Sequence, residues 1–188
     1  MTPLPALISD LWQLAGGDPQ DPSCDWNTAF DPIGLILFAP PRHGGYSCTP
    51  ANGVTFATTG GDGVHYSWLV DPEIGLDFAP VVMTVPMCDT PNLVVGANVR
   101  EFLCLGCRFG FFALEQLIYQ RQNTLDELAS KSVPRDATAE ERQLLRRITD
   151  AFNLQPWEAP KERLAALQER FAPLIVLAPK ATLGEGAD

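Results

Sequence analysis

The stretch that decides the fold is Val54–Val70, VTFATTGGDGVHYSWLV. Three glycines, Asp62 and His65 stand together in it, the composition of a phosphate cradle or an acid–base pair. Its periodicity says otherwise. Val54–Thr59 is β-branched and aromatic, as strands are. From Val64 onward the side chains alternate: Val64, Tyr66, Trp68 and Val70 point one way, His65, Ser67 and Leu69 the other. Gly60-Gly61-Asp62-Gly63 joins the two runs, and glycine supplies positive φ without a Cβ clash. The stretch therefore reads as a β-hairpin, with Asp62 as a turn residue. No Gly-Lys-Ser/Thr follows, which excludes a P-loop. A strand stands where a dinucleotide fingerprint requires a helix.

Working outward, residues 80–86, PVVMTVP, form another strand bounded by prolines, and 71–79 is a loop opened by Asp71-Pro72. Upstream, 33–39, IGLILFA, reads as a buried strand, and 40–53 is turn chemistry. Three Asp-Pro pairs make 17–32 a loop, and Leu4, Leu7, Ile8, Leu11, Trp12 and Ala15 recur at helical spacing before it. Downstream, Asn98 opens a helix with Glu101 as its capping-box acid, running to about Gln122, with Gly106 and Gly110 as points of close packing or bending. Thr124 and Glu127 predict a second capped helix to about Lys131. Thr138 and Glu141 predict a third over 139–152, and Pro160 opens a fourth to Ala172. Residues 174–178 suit a strand or a docked tail, and the end, from Thr182, is read as loose.

The pattern is α+β: a mostly antiparallel sheet with helices packed on it and a helical C-terminal extension. It divides into an α+β unit over 1–122 and a helical extension over 123–188 packed on the same core. Hydrophobic residues make up 46% of the 188, enough for a core. No apolar run reaches the roughly 18 residues of a membrane span, and the start holds Asp10 and no basic stretch. Five cysteines at irregular spacing suit reduced thiols rather than a disulfide framework. The expected location is the cytoplasm.

The net charge of −10 is uneven. Residues 1–97 hold ten acids and one base, Arg42, whereas 98–188 hold thirteen acids and twelve bases. The acidic part repels phosphate backbones, which argues against nucleic acid, and suits a basic partner or simply solubility. Asp62, His65, Asp71, Glu73 and Asp77 are the candidate partner-binding residues.

The candidates for chemistry are few. Cys104 and Cys107 form a C-x-x-C without the second closely spaced pair of a zinc site. They fall within the helix, where cysteine behaves as a small apolar residue. Cys24, Cys48, Cys88 and His43 are scattered. No metal or cofactor is expected. The alternative to a binding protein is a small hydrolase or metal-dependent enzyme using His65 with Asp62, or the Cys104/Cys107 pair; no G-x-S-x-G elbow supplies a nucleophile. Trp26, Tyr66, Phe78, Trp68 and Trp157 could line a binding face. Most are expected in the core, with Trp157 a packing anchor between two helices.

The middle of the chain resembles the SUKH superfamily of Smi/Knr-type regulators and toxin-immunity proteins. The resemblance rests on Phe56, the Gly61-Asp62-Gly63 turn, Tyr66, Pro80-Val81, and a helix opened by Asn98 with Glu101, Phe102 and Leu103. It covers 54–105 only. The Leu-Pro-x-x-Tyr segment usual before the family's sheet is replaced by proline-rich loop, and the helices after Phe109 run beyond the family's core. The resemblance implies a non-enzymatic α+β binding protein, some of whose relatives neutralise basic toxin enzymes.

Overall fold

The computed structural model describes residues 4–21, 25–130 and 137–178. Cys24, the expected helix end at Lys131 and the tail from Thr182 lie outside the described residues.

The hairpin lies at the centre. β3 (Gly53–Thr58) and β4 (His65–Leu69) pair antiparallel, with Thr58 opposite His65 and Thr55 opposite Ser67. Around them runs a six-stranded antiparallel sheet in simple chain order. Its other strands are β1 (Trp26–Asn27), β2 (Ile36–Arg42), β5 (Val81–Thr84) and β6 (Asn92–Gly96). The fold is α+β.

One face of the sheet carries an aromatic core. Tyr66 and Trp68 of β4 and Phe56 of β3 are fully buried there. The helix α1 (Ala6–Leu14) adds Ile8, Leu11 and Trp12, and α2 (Val99–Gly106) adds Phe102 and Leu103. Phe56 lies 4.5 Å from Trp68 and Tyr66 lies 4.6 Å from Phe102, centroid to centroid. Such offset pairs stabilise beyond the area they bury.

Helix α2 begins as its cap demands: the Asn98 side chain accepts from the Glu101 N–H at 2.9 Å, and the Glu101 carboxylate accepts from the Ala97 N–H at 2.6 Å. The continuous helix to Gln122 is not formed. The chain leaves α2 at Cys107 because Phe111 is claimed by distant groups. Its N–H donates to Ile33 O, and its carbonyl accepts from the Tyr66 hydroxyl, both at 2.7 Å. The Phe111 ring then folds back over Gly106, where a Cβ would stand 2.4 Å from a ring carbon. A 3₁₀ turn and the short α3 (Gln116–Tyr119) follow. Thr124 is not a cap; it sits inside α4 (Arg121–Ala129), its hydroxyl donating to Gln120 O. The capping box of Thr138 and Glu141 does open α5 (Ala139–Phe152), and Pro160 opens α6 (Pro160–Phe171). Leu125, Leu128, Leu145, Ile148, Leu154 and Leu164 join the same core cluster as the sheet's aromatics, and α4 straddles position 122.

The opposite face is also covered. Leu167 and Phe171 of α6 pack on Leu69, Val82 and Val94. Residues 174–178 form a docked tail: Ala51 N–H donates to Val176 O at 2.6 Å, and Asn52 donates to Leu174 O at 3.0 Å. Helix α6 also closes the sheet's free edge. Among the described residues strand β6 pairs with β5 alone, and the Gln168 amide takes the place of a further strand. Its oxygen accepts from Val94 N–H at 3.1 Å, and its nitrogen donates to Val94 O at 2.7 Å.

Two substitutions test this packing. Gly106→Ala drives a methyl into the Phe111 ring and is expected to lower stability by about 1–3 kcal/mol, read as a drop in the urea midpoint at unchanged slope. Gln168→Ala leaves the Val94 amide and carbonyl without partners and is expected to cost about 1–3 kcal/mol. It also uncovers a strand edge, so light scattering should show association at high concentration that the parent lacks.

Candidate interaction surface

His65 answers the question its strand raises. It is 2% exposed, on the face of β4 opposite Tyr66 and Trp68, and it is covered by the loop that carries Gly44, Tyr46 and Thr49. Its Nδ1 lies 2.8 Å from Gly63 O. A carbonyl only accepts, so Nδ1 carries the proton. Nε2 is then a lone-pair acceptor and takes a hydrogen bond from the Thr49 hydroxyl at 3.0 Å. The Tyr46 ring stacks over the imidazole, 5.6 Å away and inclined by 15°. Gly44 is what lets this loop close, since a Cβ there would stand 2.6 Å from His65 Nε2. Burial pushes the imidazole pKa below its ordinary value. The Gly63 hydrogen bond opposes the shift, and His43 adds to it.

Both ring nitrogens are therefore occupied, and neither faces Asp62. The Asp62 carboxylate accepts from the Thr59 hydroxyl at 2.6 Å and from Val64 N–H at 3.0 Å, the bonds of a turn residue. Ser67 is bonded across the hairpin to Thr55 at 2.8 Å, both side chains buried. His43 is exposed and accepts from Gly45 N–H at 3.2 Å. The Asp62–His65 pair of the enzymatic alternative is not formed. His65 is buried and is not part of the exposed surface.

Of the cysteine pair, Cys107 is buried and Cys104 is half-buried against the core. Cys104 lies in α2, but Cys107 caps the helix rather than sitting well inside it, and its thiol donates to Cys104 O at 3.1 Å. Burial, with Cys104 beside it, pushes the Cys107 thiol up to about 11, so it stays protonated at neutral pH. Among the described residues no group of three His, Cys, Asp or Glu side chains could hold a metal ion.

The acidic candidates divide between the two ends of β4. Asp62 precedes the strand, and Asp71, Glu73 and Asp77 follow it; the five residues of β4 set the ends roughly 16 Å apart. The later group shares one built loop. Asp71 accepts from Glu73 N–H at 2.8 Å, Ile74 N–H returns to Asp71 O at 3.0 Å, and a 3₁₀ turn spans Leu76–Phe78. Leu76 packs against the core, and Leu69 N–H donates to Pro80 O at 2.9 Å, tying the loop's base. Phe78 is 74% exposed on this loop, which also carries the exposed Glu73 and Asp77. The proposed aromatic face is not assembled: Tyr66 and Trp68 are buried, and Trp26, at 57% exposure, is on β1.

Phe78 is one of the five aromatics read as a possible binding face, and it is exposed. Its setting, one residue after Asp77 in a loop opened by Asp-Pro, is the signal that separates it from the core aromatics. Thr49 and Tyr46, which occupy His65, carried no local signal at all.

No protein-family model, curated protein or solved structure matches the chain. Among the described residues no helix is long and apolar enough to cross a membrane.

Burial of neutral His65 has a pH signature. Its folded pKa lies below the unfolded value of about 6.5, so the unfolded chain binds the proton first. The cost is absent above pH about 6.5 and grows as pH falls toward the folded pKa. Urea unfolding of the parent and of His65→Gln between pH 8 and 5 should show the parent losing more stability over that range, the carboxylate contribution being common to both.

Proposed function

We propose that the chain is a non-enzymatic protein-binding module, of immunity or regulatory type as the SUKH resemblance implies, that recognises a basic partner. The observation that carries this reading is the loop after β4. An exposed aromatic, Phe78, shares with Asp71, Glu73 and Asp77 one loop fastened at its base. Large exposed aromatics supply binding energy at the centre of an interface, and surrounding carboxylates steer and select a cationic partner. The charge of the first 97 residues supports the same sign of partner: their single base, Arg42, is already paired with Asp25 at 2.9 Å. The occupied state of His65 and the burial of Cys107 favour the loop as the feature best suited to recognition.

The test is affinity capture with the full chain at low and high salt, beside Phe78→Ala and the triple variant D71N/E73Q/D77N. A basic protein retained by the parent at low salt, released as salt rises and lost from both variants is the expected result. Where a toxin gene adjoins, the same variants should lose protection in a toxicity assay. Equal capture by all three chains would remove the loop from the interface.

A further inference from the structure

Beside the first turn of α2, the start of α6 leaves an open groove of about 480 Å³. Trp157 and Ala166 supply apolar wall. The Trp157 indole N–H donates to Glu101 O at 3.1 Å, which fixes the ring. Of the carboxylates on the lining, that of Glu101 is committed to Ala97 N–H and to the guanidinium of Arg163. Glu158 and Glu162 are exposed, and their carboxylates have no hydrogen-bond or ion-pair partner among the described residues. The lining thus holds three carboxylates against one guanidinium.

An oriented indole with two unpaired carboxylates on the same groove suits a cation on an aliphatic stem. A guanidinium suits it better than an ammonium, because it stacks flat on an aromatic face while its N–H fork meets a carboxylate in two places. The volume holds one such side chain with the backbone that carries it. We propose that this groove receives an arginine side chain of the partner protein. The proposal rests on the reading of the chain as a protein-binding module and gives that module a second anchor. Trp68 of β4 pairs with Val81, and Val81 with Gly96, so the loop after β4 and the first turn of α2 lie at the same end of the sheet. One partner can therefore engage Phe78 and the groove together.

The test is an NMR titration of the ¹⁵N-labelled full chain with the blocked peptide acetyl-Gly-Arg-Gly-amide, its lysine counterpart alongside. The Trp157 indole resonance is assigned by its loss in Trp157→Phe. The expected result is a saturable shift of that resonance with the arginine peptide, several-fold weaker with the lysine peptide. E158Q/E162Q, whose side chains are exposed and whose spectrum should otherwise match the parent's, abolishes it, and D71N/E73Q/D77N keeps it. A Trp157 resonance that stays still, or that shifts equally in E158Q/E162Q, overturns the groove. Failure here with loop-dependent capture intact leaves the protein-binding reading standing. A groove shift with no loop-dependent capture refutes the loop and keeps the groove.

Discussion

The structure depends on one constraint: β4 is buried on both faces. An antiparallel sheet usually packs one face and wets the other, and its strands then alternate apolar and polar. All five residues of β4 are buried here. Tyr66 and Trp68 meet the aromatic core, and Leu69 meets α6. The polar residues between them must find partners inside the protein, because an unmatched buried polar group costs about 1–3 kcal/mol. Ser67 takes Thr55, and His65 takes Gly63 and Thr49. On the same face Thr84 donates to Asn92, which in turn donates to Cys48 O. A row of side chains that looks chemical in the sequence is a set of internal ties.

That constraint also explains the C-terminal third. The second face needs a cover, and α6 with the docked tail provides it, reaching back to Asn52 at the start of β3. Gln168 closes the edge strand in the same movement. Glu101 joins these parts. It caps α2 through its side chain, holds Trp157 through its carbonyl and pairs with Arg163 on α6. As an ion pair at a half-exposed surface this contact contributes little by itself; its value is in fixing where α6 begins.

What was legible in the sequence was local. Gly60–Gly63 between two β-rich runs gave the hairpin, and Asn98, Thr138 and Pro160 marked three helix starts by short-range capping chemistry. What was illegible was settled at a distance. Strand β6 is a short apolar run after a turn, without the alternation that marks a half-exposed strand. Strand β2 continues to Arg42 because Pro40 and Pro41 fall where its register with β3 shifts, and there no ladder N–H is needed. The break after Gly106 follows from Ile33 and Tyr66, which lie far from Phe111 in sequence. The face of His65 was readable from the alternation, but its partner Thr49 comes from a loop that reads only as turns. The acids of the 71–77 loop were visible as charges; that they share a loop with an exposed phenylalanine, while Asp62 stands at the other end of the strand, required the fold.

The claim that β4 is sealed on both sides is tested most directly at the His65 ring. Long-range ¹H–¹⁵N NMR of the imidazole reports which nitrogen carries the proton and whether the ring titrates. The expected result is a neutral ring protonated at Nδ1 that remains neutral when pH is lowered through about 6.5, where an exposed histidine gains its charge. A ring protonated at Nε2, or one that titrates at the ordinary value, would contradict the claim and return His65 to the solvent-facing residues.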